Sequence, residues 1–212
     1  MTRRVFIGSN QFKEACGAGI HGTHMSTRIP TTAAECRGKI SLESVGVAVV
    51  KLGAMDQAQK EQLADEIVRE QQALFTSFLV QKQFGVSYEK MEFLLNILFV
   101  CFLAMKESGV TWPKITDDDV DVCMTRYVES VKFGMDQGPD QSQELLKQFI
   151  AGYPEQALLA YVQGETADWL KRITPEDSDR YVMLAAANMV NCIGYTNSTG
   201  VQRKRKAAKV KR

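Results

Sequence analysis

Two groups of side chains in this sequence have types and spacings that could do chemistry, and both lie near an end of the chain. The first group contains two cysteines and the only two histidines, spaced as C-x4-H-x2-H-x11-C: Cys16, His21, His24 and Cys36. Thiolate and imidazole are ligands that zinc prefers, and four of them complete a tetrahedral structural site. One hypothesis is therefore a zinc site that supplies folding energy to a glycine-rich segment.

The same four residues have a second interpretation, because their spacing contains no C-x2-C pair and matches no known zinc module. Residues 1–40 show no helical or strand periodicity and are rich in Gly, Ser and Thr. Such a segment is typical of a poorly ordered or loosely attached leader, and Met25 could be an internal start. We therefore expect no resident cofactor, with zinc at the N-terminal segment as the alternative.

The second group is a basic C-terminal tail. Residues 201–212 contain seven basic side chains and no acidic one: Arg203, Lys204, Arg205, Lys206, Lys209, Lys211 and Arg212. Residues 41–200, in contrast, carry 13 basic and 23 acidic side chains. A basic run of this length is typical of sequence-independent binding to a phosphate backbone, although a nuclear-localisation signal, an anionic surface and a merely solubilising tail fit it too.

Between these ends, one acidic cluster and the cysteines are candidates for chemistry. The cluster Asp117, Asp118, Asp119 and Asp121 could hold a hard cation, but acids also favour the first turn of a helix. We interpret them as the start of a helix. The sequence has five cysteines, an odd number, and Cys101, Cys123 and Cys192 lie on apolar stripes. They are predicted to be buried free thiols in a reducing compartment, the cytoplasm or, in a eukaryote, the nucleus.

The middle of the chain lacks the usual catalytic patterns. No histidine follows His24, so this part has no Ser-His or Cys-His pair, and neither G-x-x-x-x-G-K-[ST] nor G-x-G-x-x-G occurs. These observations argue against the common enzyme classes. Trp112 follows the most apolar stretch, where it either covers the end of the core or marks a contact surface.

The elements that must position these groups are predicted to be helices. Apolar residues at helical spacing over 56–195 indicate a compact all-α bundle of about six helices. The first predicted helix spans 56–83, and a central apolar helix lies around 91–105. The remaining four are one from Thr116, one from Pro139 to Gly152, one from Pro154 with an interruption near Gly164, and one from Thr174 to Gly194. The central run is too short to span a bilayer. Residues 41–55 fit a short strand, a helical turn or an extended arm.

We expect three regions: an irregular N-terminal segment at 1–40, a helical domain at 41–197 and a flexible basic tail at 198–212 that begins with a hinge. The leading hypothesis for function is a non-enzymatic helical interaction protein whose tail contacts nucleic acid or an acidic partner. The alternatives are a small-ligand- or metal-dependent helical enzyme with a pocket between helices, and an oligomeric structural subunit.

Overall fold

Helix is the only regular structure in the part of the chain that the structure describes. The structure, a computed structural model, describes residues 39–135 and 139–210, with the backbone alone from residue 197 onward. The helices are α1 (Leu42–Ala54), α2 (Gln57–Glu70), α3 (Gln72–Leu79), a 3-10 helix (Val80–Phe84), α4 (Tyr88–Glu107), α5 (Asp117–Met135), α6 (Pro139–Gly152), α7 (Gln156–Arg172) and α8 (Asp179–Val210). The predicted all-α class is confirmed, although these described ranges contain eight α-helices rather than about six.

Helix α4 is the centre of the fold, as its sequence predicted. Every residue from Ile97 to Met105 is buried, and α4 packs against α1, α2, α3 and α8. Ser87 caps its start by accepting a hydrogen bond from the Lys90 backbone N–H, and Gly109 follows its end with a φ of 66°. A helix that is apolar on most faces must be surrounded by others, because burying each large apolar side chain stabilises the fold by about 1.5–3 kcal/mol.

Residues 41–55 form a helix, so the strand interpretation of this segment is wrong. Ser41 caps α1 through the Ser44 backbone N–H, and the buried residues Val45, Ala48 and Leu52 recur at intervals of three and four. The alternating valines suggested a strand because β-branched residues favour that state. No neighbouring strand exists among the described residues, and the apolar face of α1 is instead buried against α4.

The helix predicted over 56–83 is divided into three pieces. Gln71 leaves the helical conformation, with φ −134° and ψ 52°, and its buried side chain bonds to the loop after α4. Its amide donates to the Pro113 carbonyl (3.1 Å) and accepts from the Ile115 backbone N–H (2.9 Å). Val68 and Leu79, apolar residues on either side of this break, are both exposed.

The last two helices also differ from prediction. Helix α7 runs through Gly164 without interruption, and α8 begins at Asp179 rather than after Thr174. Helix α8 does not end at Gly194, which is buried and faces the Pro154 and Tyr153 side chains of the α6–α7 connection. An added Cβ there would lie 3.5 Å from the nearest Pro154 atom, an ordinary van der Waals contact, so this glycine marks neither an end of the helix nor a position that excludes a side chain.

The first described residues are attached to the body by one carboxylate. Glu155, which is 2% exposed, accepts hydrogen bonds at Oε2 from the backbone N–H groups of Lys39 (2.9 Å) and Ile40 (3.0 Å). Burial raises the pKa of Glu155, while these hydrogen bonds and the Lys39 charge oppose the shift. Within the ranges that the structure covers, no helix has the length and apolar character needed to cross a bilayer.

Candidate functional site

The basic residues of the C-terminus continue the helix that passes through the body. Helix α8 contains the backbone of Arg203, Lys204, Arg205, Lys206 and Lys209, whereas Lys211 and Arg212 lie outside the described residues. At a rise of about 1.5 Å per residue, the stretch from Arg203 to Lys209 is about 9 Å long. The helical backbone also includes the segment predicted as a hinge, and the flexibility of this tail stays a prediction.

Helix α8 is attached to α5 along a parallel interface. The Asn188 side chain donates to the Val120 carbonyl (3.2 Å), and one turn further along the two helices Cys123 and Cys192 are close enough for each thiol to shift the pKa of the other. One turn further on, the guanidinium of Arg126 lies 4.9 Å from the centre of the Tyr195 ring. Residue numbers rise together on both helices in these contacts, so α5 and α8 run in the same direction.

The two thiols are not equivalent. The neighbouring Cys192 thiol lowers the pKa of Cys123, and the nearby Arg126 charge lowers it further against the opposing effects of burial and Asp119. Contact with Cys123 and burial raise the pKa of Cys192. Cys123 is therefore the member of the pair that ionises first, and Cys192 keeps its proton.

A small cavity adjoins Cys123. Its space for the centre of a water molecule is about 20 Å³, and its lining residues are Cys123, Arg126, Tyr127, Ser130, Phe149, Asn191 and Tyr195. A space of this size admits a molecule about as large as water. The cavity gives small solutes a route to a sulfur that is otherwise buried.

One wall of this cavity is fixed by a buried hydrogen bond. The Tyr153 hydroxyl donates to Oδ1 of Asn191 at 2.8 Å, and burial raises the pKa of Tyr153. The rings of Phe149 and Tyr195 contact the Tyr153 ring edge-on, at 5.4 and 5.8 Å between ring centres. Such contacts restrict the rotamers of the wall, so the cavity is preformed.

The outer face of α5 carries a second, shallow depression. It encloses about 340 Å³ and is lined by Asp121, Val122, Thr125, Arg126 and Glu129. Val122 and Phe133 lie on the same helix and are more than half exposed. The mixture of one apolar side chain with charges of both signs offers no convergent set of polar groups for a small ligand.

The acidic residues at the start of α5 form a helix cap. The Thr116 hydroxyl accepts from the Asp119 backbone N–H (3.2 Å), and the Asp119 carboxylate accepts from the Thr116 N–H (3.0 Å) and hydroxyl (2.7 Å). This reciprocal pattern satisfies N–H groups that a helix start leaves without partners. Asp117, Asp118 and Asp121 are exposed, and the described side chains include no cluster of three or more His, Cys, Asp or Glu suited to a metal ion.

The other residues singled out from sequence have varied outcomes. Cys16, His21, His24 and Cys36 lie outside the described residues, so the zinc hypothesis stays a prediction. The Trp112 indole donates to the Met105 carbonyl (2.9 Å) and packs on the core at the end of α4. Cys101 is a buried thiol among apolar residues, and burial raises its pKa to about 12.

Sequence reasoning missed the pairing of Cys123 with Cys192. Both were predicted to be small buried residues, and both are buried. Nothing in their separation along the chain indicates contact, because that contact depends on the parallel register of α5 and α8. Comparisons of this chain with protein-family models, curated proteins and solved structures give no match.

Proposed function

We propose that this chain is a non-enzymatic helical interaction protein that binds nucleic acid through the basic end of α8. The observation that supports the proposal most is the continuity of α8, whose buried part packs against α4, α5 and α7 and whose backbone stays helical to Val210. The backbone from Arg203 to Lys209 therefore belongs to the same helix as the buried residues Asn188 and Cys192.

The charge distribution favours a polyanion as the partner. The seven basic residues of 201–212 follow a region, 41–200, with 23 acidic and 13 basic side chains. A phosphate backbone brings closely spaced negative charges, and neutralising them releases counterions. The acidic region repels the same polyanion, so binding is confined to the tail. No aromatic side chain lies between residues 196 and 212, so base stacking is not part of this binding mode.

The free buried thiols Cys101, Cys123 and Cys192 favour a reducing compartment, and we place this activity in the cytoplasm, or in the nucleus of a eukaryote.

Binding of a labelled random-sequence duplex, measured by fluorescence anisotropy at several salt concentrations, tests the proposal. With seven basic residues engaged, log K is expected to fall against log salt with a slope of about −6. A chain truncated after Gly200 is expected to lose this binding and keep its helical circular dichroism. A matched variant with every Lys and Arg of 201–212 exchanged for the other is expected to bind with the same slope.

Two results would contradict the proposal. If the truncated chain binds the duplex as tightly as the full chain, the tail is not the binding element. If polyglutamate competes as effectively as the duplex at equal charge, the partner is an acidic protein rather than nucleic acid, and the nucleic-acid part of the proposal fails.

A further inference from the structure

Cys123 and Cys192 are two thiols of the described body that the proposed function does not use. They belong to α5 and α8 and lie in the parallel register between the Asn188–Val120 hydrogen bond (3.2 Å) and the Arg126–Tyr195 contact (4.9 Å), and each thiol shifts the pKa of the other. A disulfide needs a sulfur–sulfur distance of about 2.05 Å, and this register puts the two thiols on facing turns of adjacent helices. The pair is therefore placed for covalent linkage.

The surroundings give the two sulfurs different roles. Cys123 borders the cavity of about 20 Å³ and has the positive charge of Arg126 nearby. Cys192 lies behind it, does not line that cavity and retains its proton. The thiolate is the reactive form of cysteine, so Cys123 meets an incoming electrophile first.

We propose that Cys123 and Cys192 form an oxidisable dithiol, in which a small hydroperoxide entering the cavity oxidises Cys123 and Cys192 then closes a disulfide between α5 and α8. This inference does not rest on nucleic-acid binding by the tail, because it depends only on contacts within the body.

The chemistry balances with the hydroperoxide as the two-electron oxidant. The Cys123 thiolate attacks the terminal oxygen, an S–O bond forms, the O–O bond breaks, and the departing oxygen takes up a proton as water or an alcohol. This step leaves a sulfenic acid on Cys123. The Cys192 sulfur then attacks the Cys123 sulfur, so that an S–S bond forms and the S–O bond breaks. The hydroxide that leaves combines with the Cys192 proton as water.

The size of the cavity sets the class of oxidant. A space with room for the centre of about one small molecule favours hydrogen peroxide, the smallest hydroperoxide, over a hydroperoxide with a branched alkyl or aromatic group. We therefore expect hydrogen peroxide to produce the disulfide at least tenfold faster than tert-butyl hydroperoxide does. The reference is a free small thiol in the same buffer, for which the ratio of the two oxidation rates is expected to be far smaller.

The test is peptide mapping of the full chain after treatment with hydrogen peroxide and alkylation of the remaining thiols. The expected product is a linked pair of peptides that contain Cys123 and Cys192, lost on treatment with a small dithiol. In Cys192→Ala, a diketone probe added together with denaturant after the oxidation is expected to label a sulfenic acid on Cys123. In Cys123→Ala, residue 192 is expected to stay a thiol. Cys101→Ala is the matched control, because Cys101 is equally buried without a thiol partner, and it is expected to form the disulfide as the wild type does.

Mapping of the wild-type chain decides the proposal even if a cysteine variant fails to fold. The proposal is overturned if Cys123 and Cys192 remain unlinked thiols while free small thiol in the same solution is oxidised. It is also overturned if either cysteine is linked to a different cysteine in the folded chain, or if the bulky hydroperoxide forms the disulfide as fast as hydrogen peroxide.

Discussion

Replacing Lys90 by methionine is expected to destabilise the fold strongly, because it removes one side of a buried ion pair. The Lys90 side chain is 8% exposed and its partner Asp179 is 6% exposed. The Lys90 ammonium contacts the Asp179 carboxylate and also Oε2 of Glu176 at 2.8 Å. These contacts connect the first turn of α4 to the start of α8, so they join the two helices at the centre of the fold.

The expected loss of unfolding free energy follows from the charged group that stays buried after the substitution. Lys90→Met leaves the Asp179 carboxylate buried, with the Glu176 backbone N–H as a remaining donor at 2.7 Å. Breaking a buried pair by removing one partner costs about 3–5 kcal/mol. Because this N–H still stabilises the carboxylate, we expect the lower end, about 3 kcal/mol. For a chain of 212 residues, this corresponds to a fall in the unfolding midpoint of roughly 6–12 °C.

The assay is urea unfolding followed by circular dichroism, with two companion variants. Lys90→Met/Asp179→Asn removes both charges while the asparagine oxygen can still accept from the Glu176 N–H, so its free energy of unfolding is expected to lie nearer the wild type than that of Lys90→Met. Lys171→Met is the matched control, because Lys171 and Asp168 form a pair that is 74% and 65% exposed, and an exposed pair contributes little.

The pH dependence provides a separate measurement. Burial alone would lower the pKa of Lys90, but the hydrogen bonds and charges of Asp179 and Glu176 raise it on balance. The stability that this pair contributes is therefore complete below the ordinary lysine pKa of about 10.4 and is lost as pH rises through the higher folded-state pKa. The reasoning is refuted if Lys90→Met unfolds at the same urea concentration as the wild type, or if the double variant is less stable than the single one.

Three further substitutions test other contacts. Tyr153→Phe leaves the buried Asn191 oxygen without its donor, and we expect a loss of about 1–3 kcal/mol in urea unfolding; an unchanged midpoint would contradict this hydrogen bond. Gly164→Ala is expected to raise the free energy of unfolding by about 0.5–1 kcal/mol, since an added Cβ meets no atom within 4 Å inside α7; destabilisation would mean that the helix is interrupted there. Glu155→Gln keeps an acceptor for the Ile40 N–H and removes a buried acid whose pKa is raised. Because the folded wild type binds that proton more tightly, its stability falls as pH rises above the ordinary glutamate pKa of about 4.3 and through the raised folded-state pKa, and the variant should lack this fall; equal pH profiles would refute it.

The sequence was informative wherever one helix alone determined the pattern. The apolar run in α4 predicted a central buried helix, and Thr116 was correctly placed at the start of a helix because a capping side chain bonds to N–H groups within its own turn. The same reasoning failed at Gln71, where the partners of the amide lie beyond residue 112. It failed again at Gly194, because a glycine after an apolar run indicates a helix end, whereas α8 continues past this buried glycine.

The candidate sites also differ in how much of them the sequence could predict. The basic tail was identified from sequence because the charge of a segment does not depend on the fold, and its binding role remains a proposal. The sequence by itself determined an all-α body, its central helix, and the acidic charge of 41–200 that precedes a basic tail. Only the tertiary structure decided that Cys123 meets Cys192 beside a cavity, because contacts between residues on separate helices depend on helix direction and register, which local periodicity does not encode.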